Sequence, residues 1–151
     1  FPARFQLVGT MNLCPCGARG DPGAECSCSA QRLAAYRDKL SRALLDRFDL
    51  VIAVPRPRAD ELAAGPAEGS AAVAERVACA RELLGVAPLR RTAAADELLT
   101  RAVDRLPLSG RGRARVARVS RTIAALAGAE EVRPEHVGEA IAYRAPQELA
   151  A

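Results

Sequence analysis

Four closely spaced cysteines are the residues of this sequence best suited to chemistry. They form two pairs, each with one residue between its members, and nine residues separate the pairs; they are Cys14, Cys16, Cys26 and Cys28. Zinc sites of four cysteines more often place two to four residues within each pair, so the spacing alone does not decide. Three glycines between the pairs would let the loop fold back on itself. We predict a structural zinc site, with reduced unliganded thiols and a disulfide or redox pair as alternatives.

The composition is that of a globular chain with few aromatic residues. Of 151 residues, 50% are hydrophobic and 3% aromatic, the net charge is +4, and Lys39 is the only lysine. No apolar run approaches the roughly 20 residues that span a bilayer, and no signal segment is present. We therefore expect a cytoplasmic protein with no membrane partner, in which thiols stay reduced. Because the sequence starts at Phe1 and not at methionine, we expect a part of a longer protein.

Two short apolar runs predict strands that are buried on both faces. The first extends from Phe5 to Met11, and the second covers residues 49–57, where Pro55 and Pro57 close it. A helix capped by Ser29 and a second short helix or turn would lie between them. The sequence therefore predicts an α/β fold for residues 1–57, with two parallel strands, helices and the cysteine loop 14–28.

The pattern changes after residue 57. Residues 58–70 are rich in glycine, alanine and proline, which indicates a linker. Residues 71–151 then predict an all-α domain of about four helices. Ser109 and Gly128 suit the two ends of the longest helix, and Pro134 suits the first turn of the last. Cys79 lies among small apolar residues of the first, where we expect it to be buried.

Three arginines lie along one side of the predicted helix that begins after Ser109. At about 100° per residue, Arg111, Arg115 and Arg118 share one side of it, beside an apolar face. No acidic residue lies between Ser109 and Arg121. Guanidinium groups near a helix N-terminus suit an anionic ligand such as phosphate. A solvated basic surface is the alternative.

Three stretches carry a resemblance to a known family: FPARFQLVGTMNLCPCG, LSRALLDRFDLVIAVPR and LSGRGRARVARVSRTIAALAG. They resemble the C-terminal part of the magnesium-chelatase-like AAA+ ATPases of the ComM/YifB type. The resemblance implies the end of an α/β ATPase core followed by a helical lid. It also implies ATP with Mg²⁺ as cofactor, a homo-oligomeric and hexameric ring, and DNA as the partner that the motor remodels, by a helicase-like branch migration.

The resemblance assigns roles to individual residues. Asn12 would be the sensor that orients the attacking water, and Arg47 the arginine finger that reaches the neighbouring subunit's site. Arg111 would be the second sensor, which contacts the nucleotide, although Arg115 and Arg118 share its side of the helix. The alternatives are an asparagine that merely ends a strand, and a surface pair of Arg47 with Asp46 or Asp49.

The sequence lacks the loop that would bind the phosphates of ATP. That loop needs glycines followed by Lys-Ser or Lys-Thr, whereas Leu40 follows the only lysine. We therefore expect no ATP hydrolysis by these residues alone. The sequence departs from the family pattern in two places: Leu13 stands where a proline is expected, and Gly112-Arg113 replaces a bulkier pair.

Two other functions stay open at this point. One is a non-enzymatic module that binds nucleic acid through a zinc knuckle and a basic helix, although the few aromatic residues argue against base stacking. The other is the motor subunit of a magnesium chelatase, against which the cysteine loop weighs.

Overall fold

A computed structural model describes residues 5–64, 67–86, 88–106 and 108–144 of the chain. These residues form seven helices: α1 (Ala30–Arg37), α2 (Arg42–Leu45), α3 (Ala59–Ala63), α4 (Ser70–Val86), α5 (Ala93–Arg105), α6 (Gly110–Leu126) and α7 (Pro134–Ala142). The chain divides into two compact units, Phe1–Ser41 and Arg42–Ala151. Within the described ranges, none of the helices has the length and apolar character needed to cross a membrane.

The first unit consists of the cysteine loop and α1. Gly17 and Gly20 have φ angles of 82° and 84°, a region that residues with a side chain rarely adopt. A Cβ on Gly20 would also lie 2.9 Å from a methyl carbon of Leu13. Ser29 accepts a hydrogen bond from the Arg32 N–H at 3.3 Å and caps α1, as predicted. The glycines therefore make the tight turns of the loop, and the serine starts the helix that follows.

The core of the second unit is built around α6, which packs against α4, α5 and α7. Its buried side chains are Ala80, Leu89, Ala95, Leu99, Val116, Ala124, Ala125, Val132, Val137 and Ala140. Half of these ten are alanines, so the helices meet in part through single methyl groups. Such small side chains let helix axes approach to the short end of the usual range of about 8–10 Å.

Both ends of α6 are formed as the sequence predicted. Ser109 accepts a hydrogen bond from the Gly112 N–H at 3.0 Å. At the other end Gly128 has a φ of 65°, and its N–H donates to the Ala125 carbonyl at 3.0 Å. The Ala129 N–H donates to the Ala124 carbonyl at 2.9 Å, which completes a Schellman motif.

The starts of α5 and α7 are joined by a single parallel bridge between Arg91 and Val132. The Thr92 N–H donates to the Val132 carbonyl at 3.0 Å, and the Val132 N–H donates to the Arg90 carbonyl at 2.8 Å. Pro134 is the first residue of α7, as predicted. The bridge therefore ties together the two segments that lead into α5 and α7.

The predicted α/β fold is wrong, because the described residues contain helices and loops but no strand. Phe5 and Val8 in the first apolar run are 76% and 78% exposed, and Val54 in the second is 85% exposed. The Val51 N–H donates to the Tyr143 carbonyl at the end of α7, at 2.8 Å, and not to a neighbouring strand. A strand requires a hydrogen-bonding partner along its length, and an apolar run does not supply one.

The predicted burial of Cys79 is also wrong, since its side chain is exposed on α4 and the next residue, Ala80, is buried instead. Alanines occur on several sides of α4, so the small side chain of Cys79 did not indicate whether it faces the core.

Substitution in the core should separate this packing from surface effects. Leu99→Ala removes a side chain that is fully buried, so we expect a loss of about 2–5 kcal/mol in the free energy of unfolding. Leu62→Ala, on α3, is the matched control because its side chain is 69% exposed, and it should change stability by less than about 0.5 kcal/mol. Urea unfolding followed by circular dichroism measures both. Equal losses would contradict the core described here.

Candidate metal centre and arginine sites

The loop brings the four predicted cysteines together. Their Sγ atoms all lie within 4.8 Å of one another, and the side chains are Cys14, Cys16, Cys26 and Cys28. The sulfurs of Cys14 and Cys16 are 3.3 Å apart, and those of Cys16 and Cys26 are 3.7 Å apart. A disulfide would need about 2.0 Å, so the thiols are free. A tetrahedral zinc with Zn–S bonds of about 2.3 Å holds its sulfurs about 3.8 Å apart, which is close to these separations.

Backbone hydrogen bonds fix the first half of the cluster. The Gly17 N–H donates to the Cys14 carbonyl at 3.1 Å, which closes a turn around Pro15 and Cys16. The Arg19 N–H donates to the Cys14 sulfur at 3.3 Å. Cys14 is 1% exposed, the most buried of the four. An N–H group that points at sulfur stabilises the thiolate, which is the form that binds metals.

The thiols divide into two that favour the thiolate and two that resist it. A hydrogen bond from the Ala18 backbone, with others from Cys14 and Cys28, lowers the pKa of Cys16 to about 6. Burial raises the pKa of Cys14, but hydrogen bonds from the Arg19 backbone and from Cys26 outweigh it, and the net shift is downward.

The other pair shifts in the opposite direction. The backbone of Cys28 lowers the pKa of Cys26, but burial and the neighbouring thiols raise it further, to about 11. Burial is the main cause that raises the pKa of Cys28. Four sulfurs this close cannot all become anions unless a cation compensates their charge. An all-sulfur donor set of this geometry fits Zn²⁺, so the residues present are compatible with the predicted metal.

Asn12, the predicted sensor, lies two residues before the first cysteine and is exposed. Its backbone carbonyl accepts a hydrogen bond from the Tyr36 hydroxyl at 3.0 Å, which ties it to α1. Its amide nitrogen lies 3.6 Å from where a Cβ on Gly17 would be. The structure therefore places Asn12 against the cysteine turn, and its role as a sensor stays a prediction.

Arg47, the predicted finger, lies in the turn after α2 and is exposed. Its Nη1 donates to the Ala43 carbonyl at 2.6 Å, which folds the side chain back along the helix. The adjacent carboxylates, Asp46 and Asp49, are engaged by arginines of the C-terminal helical region. The two acidic side chains nearest to Arg47 in sequence thus pair with Arg144 and Arg115.

Hydrogen bonds from two distant residues hold the segment on both sides of Arg47. We name the residues that take part the Asp46 clamp: Asp46, Phe48, Ser109 and Arg144. Asp46 accepts hydrogen bonds from the Ser109 hydroxyl at 2.6 Å and from Nη2 of Arg144 at 2.8 Å. Nη1 of Arg144 donates to the Phe48 carbonyl at 2.6 Å. The Arg144 side chain is only 7% exposed. Arg47 therefore has anchored residues on both sides.

The three arginines predicted to bind nucleotide are not equivalent. Arg115 is largely buried, with Nη1 2.8 Å from Oδ1 of Asp49, and the exposed Arg118 is 3.7 Å from the same oxygen. That oxygen accepts no aligned hydrogen bond, so the Arg115 contact is an ion pair of poor angle. Arg111 is exposed, with no side-chain partner among the described residues. Asp49 thus partly neutralises two of the three.

Sequence reasoning missed the clamp. The sequence predicts Asp46 only as a local partner of Arg47, and Ser109 only as a helix cap. Arg144 is 98 residues from Asp46 along the chain, and no local pattern marks that pairing. On α6, Arg121 was also missed; its Nε is buried and has no partner in the described structure.

Comparison with known proteins identifies the family. Residues 1–62 match the family described as magnesium chelatase, subunit ChlI, and residues 86–144 match the family of its C-terminal region. This chain belongs to the magnesium-chelatase-like family.

Similar proteins from several bacteria support that membership. The competence protein ComM of Haemophilus influenzae is 37% identical over 162 residues, which cover 96% of this chain and 31% of ComM. The uncharacterized protein YifB of Escherichia coli is 33% identical over 166 residues, which cover 99% of this chain and 32% of YifB. An uncharacterized protein of Mycobacterium tuberculosis is 38% identical over 163 residues, which cover 95% and 32%. The chain thus spans about a third of the length of these ComM/YifB relatives.

Thiol labelling should reveal the asymmetry of the cysteine cluster in this magnesium-chelatase-like chain. With a pKa lowered to about 6, Cys16 is a thiolate at pH 7, whereas a pKa raised to about 11 keeps Cys26 protonated. Brief treatment of metal-free protein with iodoacetamide should therefore modify Cys16 first. Its rate should fall as the pH drops through about 6. Peptide mass spectrometry measures both sites, and labelling of Cys26 as fast as Cys16 would contradict the assignment.

Proposed function

We propose that this chain is the C-terminal part of a ring-forming, ATP-dependent AAA+ motor that remodels DNA. Residues 1–57 would end the catalytic core, 58–70 would be the linker and 71–151 the helical lid. Membership of the family over both segments supports this assignment. The net charge of +4 and the arginines of α6 favour a polyanionic partner.

The observation that carries the proposal is an exposed Arg47 on an anchored segment. Phosphoryl transfer spreads negative charge over the group in flight, and a permanently charged planar guanidinium stabilises it. A finger must be exposed to reach a neighbouring subunit and must be held so that little ordering is needed on arrival. The Asp46 clamp and the pairing of Asp49 supply that hold. A finger that acts on the neighbour requires a homo-oligomeric ring, which we take to be a hexamer.

Asn12 and Arg111 would serve the nucleotide itself, which is ATP with Mg²⁺ in the full-length protein. The Asn12 amide can donate and accept a hydrogen bond without adding charge, as positioning of a water requires. Arg111 lies in the first turn of α6, where the helix N-terminus also favours phosphate. Arg115 and Arg118 would add less to nucleotide binding, because Asp49 shares their charge.

We also propose that the four-cysteine cluster holds one structural zinc, in a cytoplasmic setting that keeps the thiols reduced. Sulfur separations of 3.3 and 3.7 Å support a tetrahedral site. When bound, zinc would compensate the charge of the thiolates and close the loop between Cys14 and Cys28.

The same cluster favours a second candidate function, a non-enzymatic nucleic-acid module with a zinc knuckle. The family description names a magnesium chelatase subunit, so a chelatase motor is the third. Arg47 distinguishes the first candidate from the second, because a non-enzymatic binding module hydrolyses no ATP and needs no arginine finger.

Substitution of Arg47 in the full-length protein tests the motor directly. Arg47→Ala should lower ATP hydrolysis by roughly 10³-fold or more, since the transition-state charge is left unstabilised. ATP binding should stay nearly intact, because the neighbouring subunit holds most of the nucleotide. Arg111→Ala is the comparison, and it should weaken ATP binding as well. Unchanged hydrolysis in Arg47→Ala would remove the basis for the proposed function.

Mixed rings test whether the finger acts between subunits. Subunits with Arg47→Ala are combined with subunits whose phosphate-binding loop is disabled. Some interfaces then pair an intact loop with an intact Arg47, and partial hydrolysis should return. If mixed rings form and no activity returns, action on the neighbour is the wrong role for Arg47.

Elemental analysis tests the zinc. Protein purified without chelator should contain about one zinc per chain, as a site of four cysteines requires. Cys14→Ser and Cys28→Ser should each lose most of it, whereas Cys79→Ser should retain it because that thiol lies outside the cluster. Metal-free protein with four freely titrating thiols would contradict the site.

A further inference from the structure

We propose that the Asp46 clamp links the finger segment to the start of α6, so that Asp46 and Ser109 are positioning residues for Arg47. This inference rests on the proposed function, because it concerns how that finger is delivered. Its basis is that the segments which carry two arginines of proposed function are joined: Arg47 is adjacent to Asp46, and Arg111 lies two residues after Ser109. The hydrogen bond of 2.6 Å between Ser109 and Asp46 joins these two segments directly.

Ser109 has two roles at once. Its hydroxyl oxygen accepts from the Gly112 N–H at 3.0 Å, which caps α6, and the same hydroxyl donates to Asp46. A shift of the first turn of α6 therefore pulls on the carboxylate of Asp46. Arg111 belongs to that turn, so whatever moves Arg111 is transmitted to the residue next to the finger.

Arg144 makes the link stiff. Its guanidinium donates to the Asp46 carboxylate and to the Phe48 carbonyl, and thereby spans Arg47 from one side to the other. The side chain is 7% exposed, and a buried charge without its counter-charge is strongly unfavourable. Asp46 and Arg144 therefore stay paired when the finger segment moves.

The guanidinium of Arg144 also lies beside Gly112, in the first turn of α6. A Cβ on Gly112 would lie 3.4 Å from a methyl carbon of Leu108 and 3.7 Å from Nη2 of Arg144. These are ordinary van der Waals distances, and they show that Arg144 packs close to the first turn of α6. The clamp thus connects three places that are distant in sequence: the finger turn, the start of α6 and the second residue after α7.

The consequence is a coupling between adjacent sites of the ring. Arg111 would sense the nucleotide of its own subunit, and Arg47 would act on the nucleotide of the next. Through Ser109 and Asp46, occupancy of one site would set the position of the finger in the neighbouring site. Hydrolysis around the ring would then depend on the nucleotide state of the preceding subunit.

The test measures ATP turnover by the full-length protein. Asp46→Asn keeps the shape of the side chain but removes the charge that holds Arg144. A finger displaced by about 1 Å loses up to about 10²-fold in rate, so we expect kcat to fall about 10- to 100-fold with KM for ATP nearly unchanged. Asp96→Asn is the matched control, because it breaks the Arg91–Asp96 ion pair away from the finger; it should stay within about twofold.

Ser109→Ala provides a second variant if Asp46→Asn fails to fold. Thr92→Ala is its control, because Thr92 caps α5 in the same way, by accepting from the Ala95 N–H at 3.2 Å, without contact to the clamp. Ser109→Ala should lower kcat several-fold more than Thr92→Ala at equal thermal stability. If both variants of each pair behave alike, the clamp is merely structural.

A double substitution separates positioning from stability. In an Arg47→Ala background, Asp46→Asn should have no further effect on hydrolysis, because no finger remains to be placed. A further fall would overturn the positioning role. If Arg47→Ala alone leaves hydrolysis unchanged, the proposed function fails; if it abolishes hydrolysis while Asp46→Asn behaves like Asp96→Asn, only the clamp fails.

Discussion

A buried guanidinium requires a counter-charge, and in this chain Arg144 finds it 98 residues away in Asp46. That pair ties the turn after α2 to the helices of the second unit. The pair draws the α2 turn onto the end of α7, and the Ser109 hydroxyl joins the same carboxylate from the start of α6. Because an unpaired buried charge is costly by several kcal/mol, the pair constrains the backbone more strongly than a surface ion pair of the same length would.

The cysteine loop solves a different electrostatic problem with local means. It gathers four sulfurs within 4.8 Å of one another and shapes the chain around them with turns that glycines make possible. Backbone N–H groups stabilise part of the negative charge, and a divalent cation would stabilise the rest. In the second unit a long-range ion pair positions the finger turn. In the first unit a short loop positions the four thiols through its own turns.

The local features were predictable from sequence and the distant ones were not. Ser109, Gly128 and Pro134 lie at the helix ends that their chemistry indicates, because capping depends on a few adjacent residues. The four thiols are near one another because one loop contains them. The prediction of two strands is wrong, since an apolar run such as Phe5 to Met11 indicates a preference for burial but not a partner strand. The sequence pattern does not distinguish Arg115 from Arg111, whereas the position of Asp49 in the structure does.

The alanine-rich core has a mechanical consequence. Alanine has no side-chain rotamers, so ordering it on folding costs almost no side-chain entropy. Methyl groups such as those of Ala124 and Ala125 also interdigitate less deeply than the leucine and valine side chains that share the core with them. Packed helices of this kind accommodate small sliding displacements without a change of rotamer, which is the shear class of protein motion. We therefore expect the helices around α6 to slide more easily where alanines meet than at the charged contacts of the Asp46 clamp.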